Sequence, residues 1–179
     1  MTLDDAAADE QCAVTLERVT AEQAPLLANL LELYTHDLSA AFRHVEIGED
    51  GRYGYRPLPL YWSEPERRFA FLIRCQGRIA GFALATRGSP LSDDPDVLDV
   101  AEFFVLRRYR GSGVGRRAAA LLWQRLPGQW LVRVSESNAG ALTFWRSVSA
   151  EFTSGAALEV ERSGPPERPS RWRVFTFRS

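Results

Sequence analysis

RRYRGSGVGRRAAALLWQ, residues Arg107–Gln124, is the most informative stretch of this sequence. Gly111, Gly113 and Gly115 stand at alternate positions among arginines, and glycine lets the backbone take positive φ and approach a ligand closely. Apolar side chains then recur at helical spacing, which predicts an amphipathic helix with Val114, Ala118, Leu121 and Leu122 on one face. Unpaired N–H groups and the helix dipole both attract negative charge at a helix N-terminus. The stretch therefore predicts an anion-binding turn, most simply one for phosphate.

The spacing of the glycines argues against two common nucleotide-binding loops. A Walker A loop is excluded, because Gly115 is followed by Arg116 and Arg117 where that loop needs Lys and then Ser or Thr. The dinucleotide fingerprint requires G-x-G-x-x-G in the first βαβ unit, whereas this chain has G-x-G-x-G after a late strand. The turn is therefore expected to bind a phosphate-containing ligand in a way that differs from both of these loops.

The elements predicted along the chain follow the order β-α-loop-β-β-β-α-β-α-β-β, which is typical of a mixed α/β domain. Residues 1–11 are predicted to be a disordered leader and residues 12–179 a single domain. The first strand is expected at 13–19, followed by a helix that ends near 36–41. The other predictions are a loop at 43–66, a β-hairpin at 69–86, strands at 97–106, 130–135, 152–160 and 172–177, and a helix at 138–148, with a Pro/Gly-rich loop before the last strand.

Composition indicates an ordinary globular protein of the cytoplasm. The chain has 179 residues, of which 45% are hydrophobic, and no apolar run approaches the ~20 residues that a membrane span needs. Its acidic, alanine-rich start lacks the basic and apolar segments of a signal peptide. Cys12 and Cys75 lie far apart and match no metal-ligand spacing. We interpret them as buried or idle thiols in a reducing compartment and expect no metal.

The net charge of −1 conceals an asymmetry between two parts of the chain. Residues 1–102 carry 18 acidic side chains and 9 arginines, whereas residues 103–179 carry 13 arginines and 5 acidic side chains. The basic part favours an anionic ligand and the acidic part a cationic one. Two ordinary solvated surfaces are the alternative interpretation.

Three segments together resemble the GNAT-type N-acetyltransferase superfamily. Arg110-x-x-Gly113-x-Gly115 matches its acyl-CoA pyrophosphate loop, the preceding strand reads Glu-Phe-Phe-Val (102–105), and a later helix reads Asn138-x-x-Ala-x-x-Phe-Trp145. The order of elements over residues 13–178 is similar too. Details such as Pro-Gly-x-Trp and Phe-Trp-Arg resemble a bacterial subgroup of predicted acetyltransferases. The resemblance implies the GNAT acyl-CoA N-acyltransferase fold, an α/β (α+β) fold with a central mixed β-sheet flanked by helices.

The resemblance implies acetyl-CoA, or another acyl-CoA, as co-substrate. Its pyrophosphate would bind backbone N–H groups of Arg110, Gly111, Ser112, Gly113, Val114 and Gly115. Its charge would be balanced by Arg110, Arg116 and Arg117. Phe104 and Val105 would offer main-chain groups to pantetheine where their strand separates from its neighbour. Asn138 and Phe144 would contact the pantetheine arm, with a helix N-cap and a core residue as the alternative roles.

Acetyl transfer to an amine requires a base, because an alkyl amine with a pKa of about 10 is almost entirely protonated at pH 7. Glu102 is the first candidate, since it lies on the strand where the superfamily often places its general base. A strand-surface glutamate or an arginine partner is the alternative. His36 is the second candidate base, although a histidine at a helix C-terminus also gains from the helix dipole.

The general acid is the clearest departure from the family pattern. Trp145 stands where many members have Tyr, and an indole cannot supply a proton to the leaving thiolate. Either the thiolate leaves with help from water, or the acid is one of Tyr34, Tyr53, Tyr55 and Tyr61. A non-catalytic acyl-CoA sensor or interaction module is the alternative function that this departure leaves open.

The acceptor is expected to meet residues 34–62. The candidates for acceptor contact are Tyr34, Asp37, Tyr53 and Tyr55, with Asp99 as a further acidic group. We expect a small, cationic amine that is acylated directly in a ternary complex. No nucleic-acid partner is expected, because aromatic and basic residues do not interleave, and no membrane partner either. A homodimer is left open.

Overall fold

The computed structural model describes residues 12–163 and 171–179, so the predicted leader and the Pro/Gly-rich loop lie outside the described residues. The strands are β1 (Val14–Arg18), β2 (Arg68–Cys75), β3 (Arg78–Arg87), β4 (Leu98–Val105), β5 (Gln129–Ser135), β6 (Leu158–Ser163) and β7 (Arg171–Arg178). The helices are α1 (Ala24–Ser39), α2 (Leu60–Ser63), α3 (Val114–Arg125) and α4 (Ala139–Phe152). The predicted order of elements is confirmed, with α2 as an addition.

The strands form one mixed sheet in the order β1-β2-β3-β4-β5-β7-β6. Every neighbouring pair is antiparallel except β4 and β5, which run parallel. That parallel pairing is limited to Leu98 with Trp130 and Asp99 with Leu131. Among the described residues, β4 has no second strand partner beyond Asp99, so one of its edges is left open in the middle of the sheet.

Helices cover both faces of this sheet, each over its own apolar core. On the side of α3 and α4, the largest fully buried side chains include Trp123, Trp130 and Phe175. On the side of α1 and α2, the core is built from Leu27, Leu30, Leu31, Tyr61, Leu72, Phe82 and Phe104. Successive strand residues point to opposite faces, and Phe103 packs against the first core while Phe104 packs in the second. Glu102 therefore shares the α1 face with Phe104.

Local sequence signals explain the element boundaries near the start of the domain. The Gln23 side chain accepts a hydrogen bond from the Thr20 N–H at 3.0 Å, as a capping box does, although it caps a 3-10 turn at 21–23 that leads into α1. The β2–β3 hairpin turns at Gln76 and Gly77, whose φ angles are +49° and +76°. Two positive φ angles suit a tight hairpin turn between twisted strands.

Three sequence-based expectations need correction. The loop at 43–66 contains the short helix α2, whose Tyr61 is buried against the α1 core. The strand expected from residue 152 begins at Leu158, because α4 continues to Phe152. The two cysteines are not free thiols: Cys12 and Cys75 are joined in a disulfide, with a Cα–Cα distance of 5.6 Å. The pairing of β1 with β2 brings them together, which their separation in sequence conceals. Of the helices the structure describes, none is long and apolar enough to cross a membrane.

Candidate active site

A first cavity of about 630 Å³ opens at the N-terminus of α3, beside the open edge of β4 and the start of α4. Eleven of the residues predicted to contact the cofactor or the acceptor line it: Tyr34, Asp37, Phe104, Val105, Arg110, Gly111, Gly113, Gly115, Arg116, Asn138 and Phe144. Ser112 and Val114 do not line it. The Ser112 hydroxyl donates to the Tyr109 carbonyl at 2.9 Å, and Val114 is fully buried beneath the turn.

Two glycines shape the wall of the first cavity. Gly113 is the N-cap of α3 with φ +76° and ψ 0°, a left-handed conformation that side chains with a Cβ adopt only at a cost. Gly115 is needed for space, because a Cβ there would lie 3.2 Å from the Phe144 ring and 3.4 Å from a Val105 methyl carbon. Gly113, Gly115 and Arg116 bring the start of α3 to the cavity wall, where the free N–H groups of a helix N-terminus favour an anion.

Arg110 and Asp37 connect the turn to α1. The Arg110 guanidinium donates through Nε to the Val105 carbonyl at 2.7 Å and through Nη2 to Asp37 at 2.6 Å. Asp37 also accepts from Arg107 at 2.7 Å. These two guanidiniums outweigh the effect of burial and hold the pKa of Asp37 below its ordinary value. Asp37, expected to contact the acceptor, thus holds the turn against α1.

The other two arginines of the turn also have protein partners. Arg116 forms an ion pair with Glu151 of α4 at 2.8 Å, with more than half of each side chain exposed. Arg117 donates to the Ser112 carbonyl at 3.0 Å and so stabilises the turn from within. An exposed pair of the Arg116–Glu151 kind contributes about 1 kcal/mol or less. Arg116 is therefore free to exchange Glu151 for a phosphate group.

The start of α4 forms the opposite wall. Asn138 is the N-cap of α4, and its Oδ1 accepts from the Ala141 N–H at 3.1 Å. It also lines the first cavity, so its two sequence-based roles are compatible. Phe144 stacks on Phe103 with centroids 6.0 Å apart and faces the cavity. Trp145 is 6% exposed and packs edge-on against Phe103. Its indole packs in the core and also lines the first cavity.

A second cavity, of about 560 Å³, lies on the α1 face of the sheet beside α2. Its lining combines aromatic, acidic and basic side chains with the loop after β3: Tyr55, Pro57, Tyr61, Glu64, Arg67, Arg68, Thr86, Arg87, Gly88, Ser89, Pro90, Ala101, Glu102 and Arg133. Of the tyrosines between residues 43 and 66, Tyr55 and Tyr61 line this cavity. Burial raises the pKa of the Tyr61 phenol to about 12.

Glu102 connects the two cavities. Its carboxylate accepts a hydrogen bond from the Tyr34 hydroxyl at 2.6 Å and one from the Tyr55 hydroxyl at 3.2 Å. Tyr34 lines the first cavity, while Tyr55 and Glu102 line the second. The Tyr34 ring is held edge-on by Phe82 and Phe104, with centroids 5.6 and 5.8 Å away. The hydroxyl is thereby directed at the carboxylate.

Removal from water sets the acid–base behaviour of this pair. Burial raises the pKa of Glu102 above its ordinary value, although hydrogen bonds from Tyr34 and Tyr55 and the charge of Arg133 act in the opposite direction. Burial, and then the neighbouring Glu102 charge, raise the pKa of Tyr34 well above that of a free phenol. Glu102 is thus a stronger base than an exposed glutamate, and Tyr34 stays protonated at neutral pH.

The sequence analysis missed Arg133. It lies on β5, and its Nε donates to Asp99 of β4 at 2.8 Å just where the two strands separate. Asp99 is fully buried, which removes it from contact with an acceptor. Burial disfavours the Arg133 charge, but Asp99 and then Glu102 outweigh it and raise the pKa of Arg133. A charged residue in the middle of an otherwise apolar strand was the signal that could have identified it.

His36 and Tyr53 lie apart from both cavities. The His36 Nδ1 is 3.2 Å from the Tyr53 hydroxyl, and the histidine lies near the end of α1. The Tyr53 N–H donates to Glu32 at 2.7 Å, which fastens the loop to α1. The structure therefore brings Glu102, Tyr34 and Tyr55 together and does not place His36 or Tyr53 beside them.

Comparisons with known proteins bear on the whole domain. The model of the GNAT acetyltransferase family matches residues 28–148. An acetyltransferase from Thermus thermophilus has a similar structure, with 20% identity, a TM-score of 0.67 and coverage of 93% of this chain and 99% of that one. The yncA protein of Salmonella typhimurium, solved with its cofactor acetyl-CoA, has 12% identity, a TM-score of 0.58 and coverage of 93% and 94%.

A third similar structure is that of aminoglycoside acetyltransferase AAC(6')-Ib in complex with coenzyme A and kanamycin. Its identity is 16% and its TM-score 0.63, and the match covers 90% of this chain and 94% of that one. Among curated proteins, no significant match was found. The family model spans most of α1, strands β2 to β5, the glycine-rich turn and most of α4, and so includes the segments that form the first cavity. This chain belongs to the GNAT family of acetyltransferases and is an acyl-CoA-dependent N-acetyltransferase.

Proposed function

We propose that this protein moves an acetyl group from acetyl-CoA, or another acyl group from its CoA ester, directly to the amine of a small acceptor held in the second cavity. The observation that carries the proposal is the position of Glu102, whose carboxylate lines the second cavity and is 2.6 Å from the hydroxyl of Tyr34 in the first. The thioester and the amine would meet at this pair in a ternary complex, without an acyl-enzyme.

The described residues fit acyl-CoA in the first cavity. The N–H groups of residues 110–115 would bind its pyrophosphate, and the space left by Gly115 would let it approach α3 closely. The open edge of β4 at Phe104 and Val105 would receive the pantetheine amides, since β5 leaves that edge unpaired. Arg110 already occupies the Val105 carbonyl, so pantetheine would share that acceptor or displace the guanidinium. The bound CoA ester supplies an activated acyl group.

Glu102 would act as the base. An acceptor amine arrives as an ammonium ion, which is the positive charge that the sequence predicted for the acceptor. Its raised pKa lets Glu102 take a proton from that ammonium more readily than an exposed carboxylate would. Glu102 releases this first proton to water in the second cavity. The neutral nitrogen then attacks the thioester carbon and the N–C bond forms. The nitrogen gives its second proton to Glu102, and the C–S bond breaks to release the thiolate and a neutral amide. A backbone N–H group on the open edge of β4 would stabilise the carbonyl oxygen.

Tyr34 would act as the general acid in place of Trp145. Protonated Glu102 can pass a proton to the phenol oxygen while the phenol proton goes to the sulfur, so one proton lost by nitrogen reaches the thiolate. This relay never accumulates tyrosinate, which agrees with the raised pKa of Tyr34. The alternative of a non-catalytic acyl-CoA module rested on the missing tyrosine of α4, and Tyr34 supplies the hydroxyl from α1.

The proposal is tested by Glu102→Gln. We expect kcat with a reactive amine to fall by about 100-fold, and the limb of the pH profile on which activity rises as Glu102 ionises to disappear. Acetyl-CoA binding, measured by its stabilisation of the protein in a thermal melt, should persist. Glu49→Gln, at an exposed site that lines neither cavity, is the matched control. An unchanged pH profile in Glu102→Gln would eliminate Glu102 as the base.

A further inference from the structure

The second cavity has an unusually basic wall for the binding site of an amine. Four of its lining residues are arginines, Arg67, Arg68, Arg87 and Arg133, against the two carboxylates of Glu64 and Glu102. The acidic surplus of residues 1–102 does not reach this cavity: that segment contributes three of the arginines and both glutamates to it. The charge that an acceptor meets is therefore different from the charge that the segment carries.

Arg67 is positioned by backbone groups. Its Nη2 donates to the Arg87 carbonyl at 3.2 Å, and a Cβ at Gly88 would lie 3.1 Å from that same nitrogen. Gly88 thus leaves the space in which the guanidinium rests. Among residues 12–163 and 171–179, no carboxylate forms an ion pair with Arg67. Its charge is held at the cavity wall by neutral groups.

The other three arginines have donors left over after their protein contacts. Arg87 meets Asp96 at 3.9 Å, and the Asp96 side chain is 80% exposed, so water screens this pair. Arg68 uses Nε for Glu64 at 2.8 Å, and Arg133 uses Nε for Asp99 at 2.8 Å. A guanidinium has five N–H donors in a planar fork that suits the two oxygens of a carboxylate or a phosphate. Donors of several guanidiniums thus remain for a ligand at one wall.

Glu102 and the arginines would bind two different groups of one molecule. The ammonium group is drawn to Glu102, where it can lose its proton. A second positive charge on the acceptor would meet the guanidiniums and be repelled, whereas an oxyanion would be bound by them. A polyamine or an aminoglycoside is therefore disfavoured here, in contrast with the kanamycin bound by the similar AAC(6')-Ib structure.

We propose that the acceptor is an acidic amine, a small molecule that carries both an amino group and a carboxylate or phosphate group. Arg67 and Arg87 in the basic wall bind its acidic group while its amino group lies at Glu102. This inference rests on the proposed function and specifies its acceptor class. It corrects the expectation of a simply cationic acceptor, which came from the charge of a whole segment. An acceptor of this kind is close to neutral overall and dipolar.

The test compares a matched panel of acceptors in the presence of acetyl-CoA. The rate of each reaction is measured by the release of CoA. The panel contains ω-amino carboxylic acids of graded length, the ω-amino amides and alkylamines of the same lengths, ω-aminoalkyl phosphonates, and diamines. In these compounds the amine lies away from the variable group, so its own pKa changes little. We expect kcat/KM for the best acid or phosphonate to exceed that of its neutral counterpart by about tenfold or more, and the diamines to be poorest. The acid and phosphonate arms distinguish the two oxyanions.

Variants then test whether the arginines of the second cavity cause the preference for acidic acceptors. Arg67→Gln and Arg87→Gln should each bring the ratio of kcat/KM for acid over amide towards one, mainly through KM. Arg78→Gln, at the exposed hairpin turn and lining neither cavity, should keep the ratio of the unmodified protein. Equal rates for acids, amides and diamines, or an acid preference that survives both substitutions, would overturn the inference while leaving the proposed transfer intact.

If the unmodified protein acetylates no compound of the panel, the proposed transfer to small amines is contradicted. The affinity of the protein for the same compounds would then decide the inference. Calorimetric titration of the same panel into protein saturated with CoA measures acceptor affinity without chemistry. Tighter binding of acids and phosphonates than of amides, lost in Arg67→Gln, would support the basic wall. Equal binding, or none by the acids and phosphonates, would overturn it.

Discussion

Glu102 accepts hydrogen bonds from two tyrosines that belong to different cavities, Tyr34 at 2.6 Å and Tyr55 at 3.2 Å. Both hydroxyls favour the ionised carboxylate, while burial favours its neutral form, and burial is the larger influence on its pKa. The pKa of this carboxyl group is therefore set by opposed interactions of identified residues. Removing either hydroxyl should raise the pKa of Glu102, because the ionised carboxylate then loses a hydrogen-bond donor.

Tyr34→Phe removes the shorter hydrogen bond. The pKa of Glu102 should rise further, because its ionised form loses a donor. Since the base is active when ionised, the rising limb of kcat/KM against pH should move to higher pH. If Tyr34 also protonates the thiolate, kcat at the pH optimum should fall by about 100-fold.

Tyr55→Phe provides the comparison for that experiment. It removes a longer hydrogen bond to the same carboxylate from the second cavity. The limb should move in the same direction, with a smaller loss of kcat than in Tyr34→Phe. Equal losses of kcat in the two variants would contradict the acid role of Tyr34, and a limb that moves to lower pH in either would contradict the assignment of the limb to Glu102.

At the level of secondary-structure elements, the junction of β4, the turn and α3 is defined by backbone conformation. Gly113 begins α3 with φ +76°, and Gly115 allows α3 to lie against Phe144 and Val105. The turn is then tied to α1 through Asp37, which contacts both Arg107 and Arg110. The N-terminus of α3 is thus fixed in place before any acyl-CoA binds.

Gly113→Ala should strain this junction by about 1 kcal/mol, the cost of a left-handed residue with a Cβ. No steric cost of similar size is expected, because the end of the neighbouring Arg117 side chain can shift slightly. The N–H groups of the turn should lose their alignment, and the rise in melting temperature that acetyl-CoA causes should be reduced or lost. Gly155→Ala is matched in backbone strain, with φ +86° and open space around it, and should keep the full rise. Undiminished stabilisation of Gly113→Ala by acetyl-CoA would contradict the assignment of the turn.

Across the molecule as a whole, the sheet both separates and joins the parts of the site. β4 and β5 pair at two positions and then part, so the sheet has an opening beside Glu102 with a cavity on either side. At its far edge, the disulfide between Cys12 and Cys75 ties β1 to the β2–β3 hairpin across a sequence separation of 63 residues. Cys12 and Cys75 pack with Val114 and Ala118 of α3, so this edge supports the helix whose N-terminus borders the first cavity.

Reduction of the disulfide should destabilise the domain, because closing a loop of that length removes entropy from the unfolded chain worth up to about 4 kcal/mol. Cys12→Ser should melt at a lower temperature than the oxidised protein and respond no further to a reductant. The unmodified protein should fall to a similar melting temperature when reduced. Two free thiols in the protein unfolded without reductant would contradict the cross-link.

The fold could be predicted from the sequence, and so could most of the residues that meet at the first cavity, because their signals are local. The turn at 110–115 and the start of α4 are contiguous segments whose glycines, arginines and N-cap asparagine act on neighbouring backbone. Glu102 was predicted as the base because it lies on the strand that leads into the turn, where the superfamily often places its general base, and that role stays a prediction. Boundaries such as that of β6 were less accurate, since packing decides where a helix such as α4 ends.

The second cavity, where we propose that the acceptor binds, depends on the folded arrangement of the sheet. Its wall combines α2, the end of β3, β4 and Arg133 of β5, which lie far apart along the chain and meet only because the sheet orders β3, β4 and β5 side by side. Segment charge could not reveal this, since an ion pair or a cavity depends on which side chains face each other and not on how many a segment contains. For the same reason, the pairing of Cys12 with Cys75 and the contact of Tyr34 with Glu102 followed from the folded sheet alone.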